Sequence, residues 1–264
     1  MSIVFSAIVP HPPILIPTIG KENLQRLKST ADSYSRLEEN LYVSQPETVI
    51  IISPHGRLME NSFSLNLCPV FNGNFEEFGD LATKFSLTGD IGLAHKIKEK
   101  MEASGPLQLL SEARLDHGAA IPLYLLTRHL PKIKIIPLYC SGLDLNAHYN
   151  FGCLIKNELL KSDRRVALVA SGDLSHRLAK NAPAGYSPKG RKFDKKLMDY
   201  LLKGQTSEIL KIDRELIAQA GECGLKSIVI LLGILDGVKH QPELLSYEAP
   251  FGVGYLTVNF KLFY

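Results

Sequence analysis

An α/β fold, with a central mostly parallel or mixed sheet flanked by helices on both faces, is what this chain of 264 residues predicts. Two observations carry it. Short β-branched apolar runs recur along the chain without polar alternation, as strands covered on both faces require. Between them lie longer stretches with apolar residues at helical spacing.

In chain order, the run over 3–9 reads as a strand and closes at Pro10, because proline cannot donate to a ladder and forces extended geometry on the residue before it. The stretch over 21–42, with four Leu and three Glu and apolar residues at helical spacing, reads as a helix. A strand follows over 48–52. Residues 61–87 are rich in Phe, Asn and Gly and read as antiparallel strands or an excursion at the sheet edge. Helices are expected over 91–103 and over 118–130, the second with Pro122 in its first turns, where proline is tolerated. Then come a strand over 133–138, a helix over 146–161 and a strand over 165–170. A helix over 192–204 stops at a glycine, as helices often do. The apolar stretch over 224–237 reads as a buried helix, and 255–260 as a last strand. With no repeat, low-complexity linker or compositional break, residues 1–264 read as a single domain.

Charge and composition exclude some functions. A formal charge of +3 and a pI near 8.5, without a dense Lys/Arg stripe, argue against a nucleic-acid partner. The densest basic cluster, "KGRKFDKK", reads as a solvated helix start. No apolar stretch reaches the roughly 18 residues of a spanning helix, so no membrane partner is expected. The amino terminus lacks a basic region and a small-residue cleavage site, and its apolar run is broken by Pro10, Pro12 and Pro13. Cys68, Cys140, Cys153 and Cys223 form no C-x-x-C pair, which argues against a structural zinc finger and for free thiols in the cytoplasm. The apolar carboxyl-terminal run "GYLTVNFKLFY" is either an edge able to pair with a second copy, giving a homo-oligomer, or an inner strand.

In open α/β sheets ligands bind at the carboxyl ends of the strands. Residues there repeat one pattern. His11 in "VPHPP" follows the first strand, and His55 in "SPHG" follows the second. Asp173 and His176 in "SGDLSH" follow the strand over 165–170, and Asp116 and His117 in "LDHG" precede a helix. Each histidine stands beside Pro or Gly, or a short step from one, where a stiff or unusual backbone can aim a side chain into a cleft. Two imidazoles and one carboxylate with open positions form the facial-triad ferrous site; zinc takes similar ligands. The carboxylate expected is Glu222 in "AGECGLKS", although a carboxylate there also suits a helix amino terminus. Cys223, beside it, is the rival third ligand. His117 and His176 read as catalytic groups, since imidazoles move protons near neutral pH, and Asp116 and Asp173 are placed to orient them.

The ordered set "VPHPP", "SPHG", "LDHG", "SGDLSH" and "ECGLKS" resembles the B-type members of the class III extradiol ring-cleavage dioxygenase superfamily. It is most similar to the dioxygenase-like domain of AmmeMemoRadiSam system proteins, whose likeness extends to "LLSYEAPFGVGY" near the end. The resemblance spans essentially the whole chain and implies a single extradiol dioxygenase-like domain, without the second domain that follows in many of those proteins. It implies Fe(II) as cofactor, with zinc an alternative in purified protein, and a small aromatic diol and O2 as substrates. It places the metal on His11 and His55, the acid–base role on His176, and a role in holding dioxygen or substrate on His117. For the third ligand it implies Glu222 by analogy with protocatechuate-cleaving enzymes and Cys223 by analogy with Memo-like relatives. Two other classes stay open: a Memo-like metal-binding, redox or interaction protein without ring cleavage, and a metal-dependent hydrolase, which the motif set does not resemble.

Overall fold

A computed structural model of the chain describes residues 2–102 and 105–263. Its strands are β1 (Ile3–Val9), β2 (Thr48–Ser53), β3 (Phe63–Asn66), β4 (Val70–Phe75), β5 (Asp80–Gly89), β6 (Leu107–Leu110), β7 (Lys134–Tyr139), β8 (Val166–Ser171), β9 (His240–Glu248) and β10 (Tyr255–Leu262). Its α-helices are α1 (Pro17–Gly20), α2 (Lys28–Ser44), α3 (Ile91–Glu102), α4 (His117–Leu126), α5 (Leu145–Leu159), α6 (Pro188–Leu202), α7 (Thr206–Leu210), α8 (Arg214–Ala220) and α9 (Leu225–Ile234).

All ten strands join one mixed sheet in the order β4-β5-β7-β2-β8-β1-β10-β9, with β3 on β7 and β6 on β3. The stretch β5-β7-β2-β8-β1 is parallel, and β10 and β9 add antiparallel to it. The strands β2 and β8 are buried at every residue. Ile50, Ile52, Leu168 and Ala170 face α3, α5, α6 and α9, whereas Val49, Ile51, Ala167 and Val169 face α2 and α4. Helices thus cover both faces, which is why these strands carry no polar alternation.

Three local expectations change, and one left open is decided. Residues Lys21–Leu27 form a 3-10 turn, and α2 starts only at Lys28, because Leu27 leaves helical geometry (φ −112°, ψ 30°) at the junction. The strands β6 and β9 have no counterpart in the apolar runs. β9 is half-buried and polar, contains Pro242, and pairs along its length with β10. Consequently β10 lies inside the sheet, between β1 and β9, rather than at an edge. Finally, α6 begins at Pro188 behind the Ser187 cap, so "KGRKFDKK" lies within its first turns. The excursion over 61–87 is the β3–β5 region. β5 pairs with the start of β7 and β3 with its end, so the two share one edge of that strand. Residue 103 of the expected helix over 91–103 lies outside the described residues. Among the described residues, no helix is long and apolar enough to cross a membrane.

Candidate metal centre

The carboxyl ends of β1, β2 and β8 lie together on one rim. β1 and β2 are not neighbours; β8 runs between them, and the loops after β1 and β2 meet over its end. His11 Nε2 and His55 Nε2 approach to 3.0 Å there. Cys223 Sγ lies 3.7 Å from His11 Nε2 and 3.9 Å from His176 Nε2. Among the described residues, His11, His55 and Cys223 are the group able to hold a metal, their donor atoms all lying within 4.8 Å of one another.

Local chemistry fixes each donor. His11 stands between Pro10 and Pro12, its main-chain N–H donates to Asp173 Oδ1 at 2.9 Å, and its Nδ1 lies 2.9 Å from Ser171 Oγ. Tyr34 donates its hydroxyl proton to the Pro10 carbonyl at 2.5 Å. His55 follows Ser53, whose hydroxyl donates to Asp116 Oδ1 at 2.5 Å. The same Asp116 oxygen caps α4 by accepting from Ala119 N–H, so the strand end that leads to His55 is tied to the helix that begins with His117. The His117 ring stacks on that of His55 with centroids 4.3 Å apart.

Cys223 is set by a backbone crossing. Its N–H and that of Gly224 both donate to the Asp173 carbonyl, at 3.2 and 3.0 Å. The Asp173 N–H in turn points at Cys223 Sγ, 3.3 Å away. A Cβ on Gly172 would stand 2.1 Å from Gly224 Cα, so this crossing requires glycine.

His176 belongs to the loop after β8. Its Nε2 is 3.8 Å from Asp173 Oδ2. The loop is clamped by the "LLSYEAPFGVGY" turn: Leu174 N–H donates to the Gly254 carbonyl at 2.8 Å, Gly254 N–H to Ser175 at 2.9 Å, and Leu178 N–H to Gly252 at 2.9 Å. Asp194 of α6 accepts from Ser175 N–H and from the Tyr247 hydroxyl beneath it.

Glu222 points elsewhere. Its carboxylate accepts from Leu225 N–H at 2.6 Å, capping α9, and lines a separate cavity of about 440 Å³ with Asp144, Arg214 and Lys226. Burial pushes its carboxyl up to about 7. The structure therefore brings His11, His55, His117, His176 and Cys223 together, and sets the Glu222 carboxylate apart from them. His148 is structural: its Nδ1 lies 2.7 Å from the Asp144 carbonyl, and its Nε2 accepts from Ser141 N–H at 3.2 Å. Ser53 and Ser171, which open "SPHG" and "SGDLSH", bind Asp116 and His11 from the strand ends, a role the motifs alone do not assign. The signal is there: each is the polar last residue of an otherwise apolar strand.

Electrostatics suit a cation. Burial lowers the pKa of His11 despite the nearby Asp173 carboxylate. Loss of water on its inner side and the adjacent imidazoles of His11 and His117 lower that of His55. Both rings are thus neutral and able to offer lone pairs. Burial and the Asp173 carboxylate raise the Cys223 thiol; a bound cation would reverse that balance and favour thiolate. Two ligand nitrogens about 2.0–2.1 Å from one ion and at right angles are about 3 Å apart, the separation found between the two Nε2 atoms. The donor set of two imidazoles and a thiol fits a first-row transition metal. Beside it opens a cavity of about 790 Å³ lined by His55, Arg57, Glu77, Arg114, His117 and Tyr139.

The family model described as the catalytic LigB subunit of aromatic ring-opening dioxygenase matches residues 6–258. A protein of Clostridium acetobutylicum is 32% identical over 97% of this chain, which spans 57% of that relative's length. The 3,4-dihydroxyphenylacetate 2,3-dioxygenase of Escherichia coli is 22% identical over 83% of this chain and 85% of its own. A crystal structure of an uncharacterised Escherichia coli K12 protein superposes with a TM-score of 0.70 at 17% identity, covering 97% of this chain and 99% of that one.

Proposed function

The chain belongs to the family of catalytic LigB subunits of aromatic ring-opening dioxygenases, and from that premise we propose that it is a non-haem Fe(II) extradiol dioxygenase acting on a catechol-type ring. The observation that carries the reading is the meeting of His11 Nε2 and His55 Nε2 at 3.0 Å beside Cys223, with His176 and His117 around them. In this reading His11, His55 and Cys223 hold the metal, and Glu222 keeps its place as the cap of α9. When bound, Fe(II) supplies the electronic link between the diol and O2 and lowers the pKa of a bound hydroxyl. His176 Nε2, near the Asp173 carboxylate, takes the proton of the second phenolic hydroxyl and later returns it. His117 presents its ring at the mouth, held by the stack on His55 and by Glu77 at 3.8 Å, where it donates a hydrogen bond to oxygen. The ring carbon–carbon bond beside the diol breaks, and both atoms of O2 enter the product.

The test is to prepare the protein without oxygen, load Fe(II), and add a panel of catechols followed by air. A yellow ring-fission product formed with one O2 consumed per ring is expected. Iron-loaded protein that yields no product with any catechol of a broad panel refutes the reading for those substrates.

Cys223 favours a second reading. A thiolate in place of a carboxylate softens the donor set toward zinc and copper, as a Memo-like metal-binding or redox protein without ring cleavage requires. Metal analysis of protein purified without added metal, followed by Fe(II) loading, separates the two: iron, or zinc that Fe(II) replaces to give ring cleavage, supports the first reading, and copper, or zinc without ring cleavage after Fe(II) loading, the second.

A further inference from the structure

Resting on the acid–base role proposed above for His176, we infer that Asp194, steadied by Tyr247, is a positioning residue that fixes where His176 stands over the metal centre. Two stretches that the proposed chemistry leaves idle meet at this point: Asp194 comes from "KGRKFDKK" on α6, and Tyr247 from "LLSYEAPFGVGY" on β9. Asp194 is 1% exposed, and both its carboxylate oxygens are used. Oδ1 accepts from the Ser175 N–H at 2.9 Å, and Oδ2 accepts from the Tyr247 hydroxyl at 2.7 Å. Gly254 lies so close to Oδ2 that a Cβ there would overlap it.

Ser175 immediately precedes His176, and each of its polar groups is bonded. Its carbonyl accepts from Gly254 N–H at 2.9 Å. Its hydroxyl donates to the Ala220 carbonyl at 2.7 Å and accepts from Arg177 N–H at 3.1 Å. Among the described residues, Asp194 is the one side chain from another element that hydrogen-bonds to Ser175. The contacts of the His176 ring itself are long, with Nε2 3.8 Å from Asp173 Oδ2 and 3.9 Å from Cys223 Sγ. The place of the ring therefore follows the backbone that carries it. A carboxylate that accepts a main-chain N–H in a dry site holds that backbone firmly. Without it, Ser175 keeps a buried donor that has lost its acceptor, and movement of the segment before His176 relieves that loss.

Steady-state kinetics of the full-length, iron-loaded protein test this, with the catechol turned over fastest in the panel above. The pH is set well above the value of about 6 to which burial pushes the Asp194 carboxyl. Asp194→Ala should lower kcat roughly 100-fold, as a misplaced catalytic group does, with KM and iron content within a few-fold of wild type. Asp194→Asn, whose amide still accepts from Ser175 and donates to Tyr247, should stay within a few-fold of wild-type kcat. Tyr247→Phe, which frees Oδ2 alone, should lower kcat roughly fivefold, the worth of one hydrogen bond. Gly89→Ala serves as the stability control and should keep kcat. In the metal-free protein, a nuclear Overhauser contact between the His176 ring and the Cys223 β-protons should be present in the wild type and Asp194→Asn, and absent from folded Asp194→Ala. A kcat within twofold of wild type in Asp194→Ala, or in Tyr247→Phe where Asp194→Ala does not fold, overturns the inference. So does an Asp194→Asn protein that loses as much kcat as Asp194→Ala, since charge and not the hold on Ser175 would then be the active property, or an equal loss in Gly89→Ala. If the wild type cleaves no catechol, the dioxygenase reading fails instead, and the Overhauser contact still decides whether Asp194 places His176.

Discussion

Gly172→Ala would strike the crossing that sets the sulfur. The new Cβ would fall 2.1 Å from Gly224 Cα, 3.1 Å from its nitrogen and 3.2 Å from its carbonyl carbon. Carbon atoms in contact sit about 3.5–4.0 Å apart, so the strand end and the start of α9 must separate by roughly 1.5 Å. Both partners are main chain, and no side-chain rotation relieves the clash. That displacement carries the Cys223 and Gly224 N–H groups out of reach of the Asp173 carbonyl they now meet at 3.2 and 3.0 Å. Overpacking costs about 1–3 kcal/mol and each hydrogen bond about 1 kcal/mol. A chain of this size loses roughly 2–4 °C of Tm per kcal/mol, so the melting point should fall by about 6–20 °C.

The effect on metal should be larger in kind, because ligand atoms are tolerated only within about 0.2 Å of their places. A sulfur displaced by even half the required separation no longer ligates. Gly89→Ala is the control. Its Cβ would stand 2.0 Å from the Cys68 carbonyl oxygen, at the far end of the sheet from the rim. Both variants should lose comparable stability in thermal melts. Only Gly172→Ala should lose the thiolate-to-cobalt charge-transfer band and Co(II) affinity. If Gly172→Ala keeps the band and binds Co(II) as Gly89→Ala does, the Gly172–Gly224 crossing does not set Cys223 and the reasoning is refuted; a wild type that binds Co(II) without the band refutes the assignment of sulfur to the centre.

Three further outcomes follow from the geometry. Cys223→Ser should abolish stoichiometric metal binding, whereas Glu222→Gln, which keeps a carbonyl for Leu225 N–H, should retain it and lose under about 1 kcal/mol of stability; metal analysis showing the opposite loss would make Glu222 the ligand. His176→Gln should leave Fe(II) affinity within a few-fold and lower ring-cleavage turnover about 10²–10⁴-fold, and a fall in affinity with unchanged turnover would remove it from proton transfer. Burial pushes the Asp194 carboxyl from its ordinary 3.8 up to about 6. Between those values the folded state holds a proton that the unfolded state releases, so stability declines as pH rises through that window and levels off above it, by on the order of 3 kcal/mol in all. Asp194→Asn can still accept from Ser175 and donate to Tyr247, so its urea-unfolding stability should lack this decline; an equal decline in the variant would place it in other groups.

Much of this site was legible because covalent constraints announce it. The apolar runs over 3–9, 48–52 and 165–170 mark inner strands, almost wholly buried, and a proline after each of the first two fixes where the strand stops and where His11 and His55 begin. What was illegible depends on contacts between distant segments. β9 reads as polar because its partner β10, and not its own pattern, holds it in the sheet. Glu222 and Cys223 are adjacent, and either could ligate on sequence grounds. Which one turns to the rim is decided by the meeting of Gly172 with Gly224, 52 positions apart in the chain.

The same dependence explains why β8, which supplies no proposed ligand from the strand itself, organises the centre. Its last residue, Ser171, holds the His11 ring. The next, Gly172, lets α9 come close enough to bring Cys223 over the rim. The third, Asp173, takes the His11 N–H on its side chain, the Cys223 N–H on its carbonyl, and stands near His176. Three consecutive residues thus place donors that come from positions 11, 176 and 223, while Ser53 and Asp116 secure the strand end before His55 and the helix that begins with His117. A centre built in this way is rigid on the β8 side and freer on the β2 side. Exchange of the metal should therefore proceed by departure of His55 first, with His11 and Cys223 the last to let go.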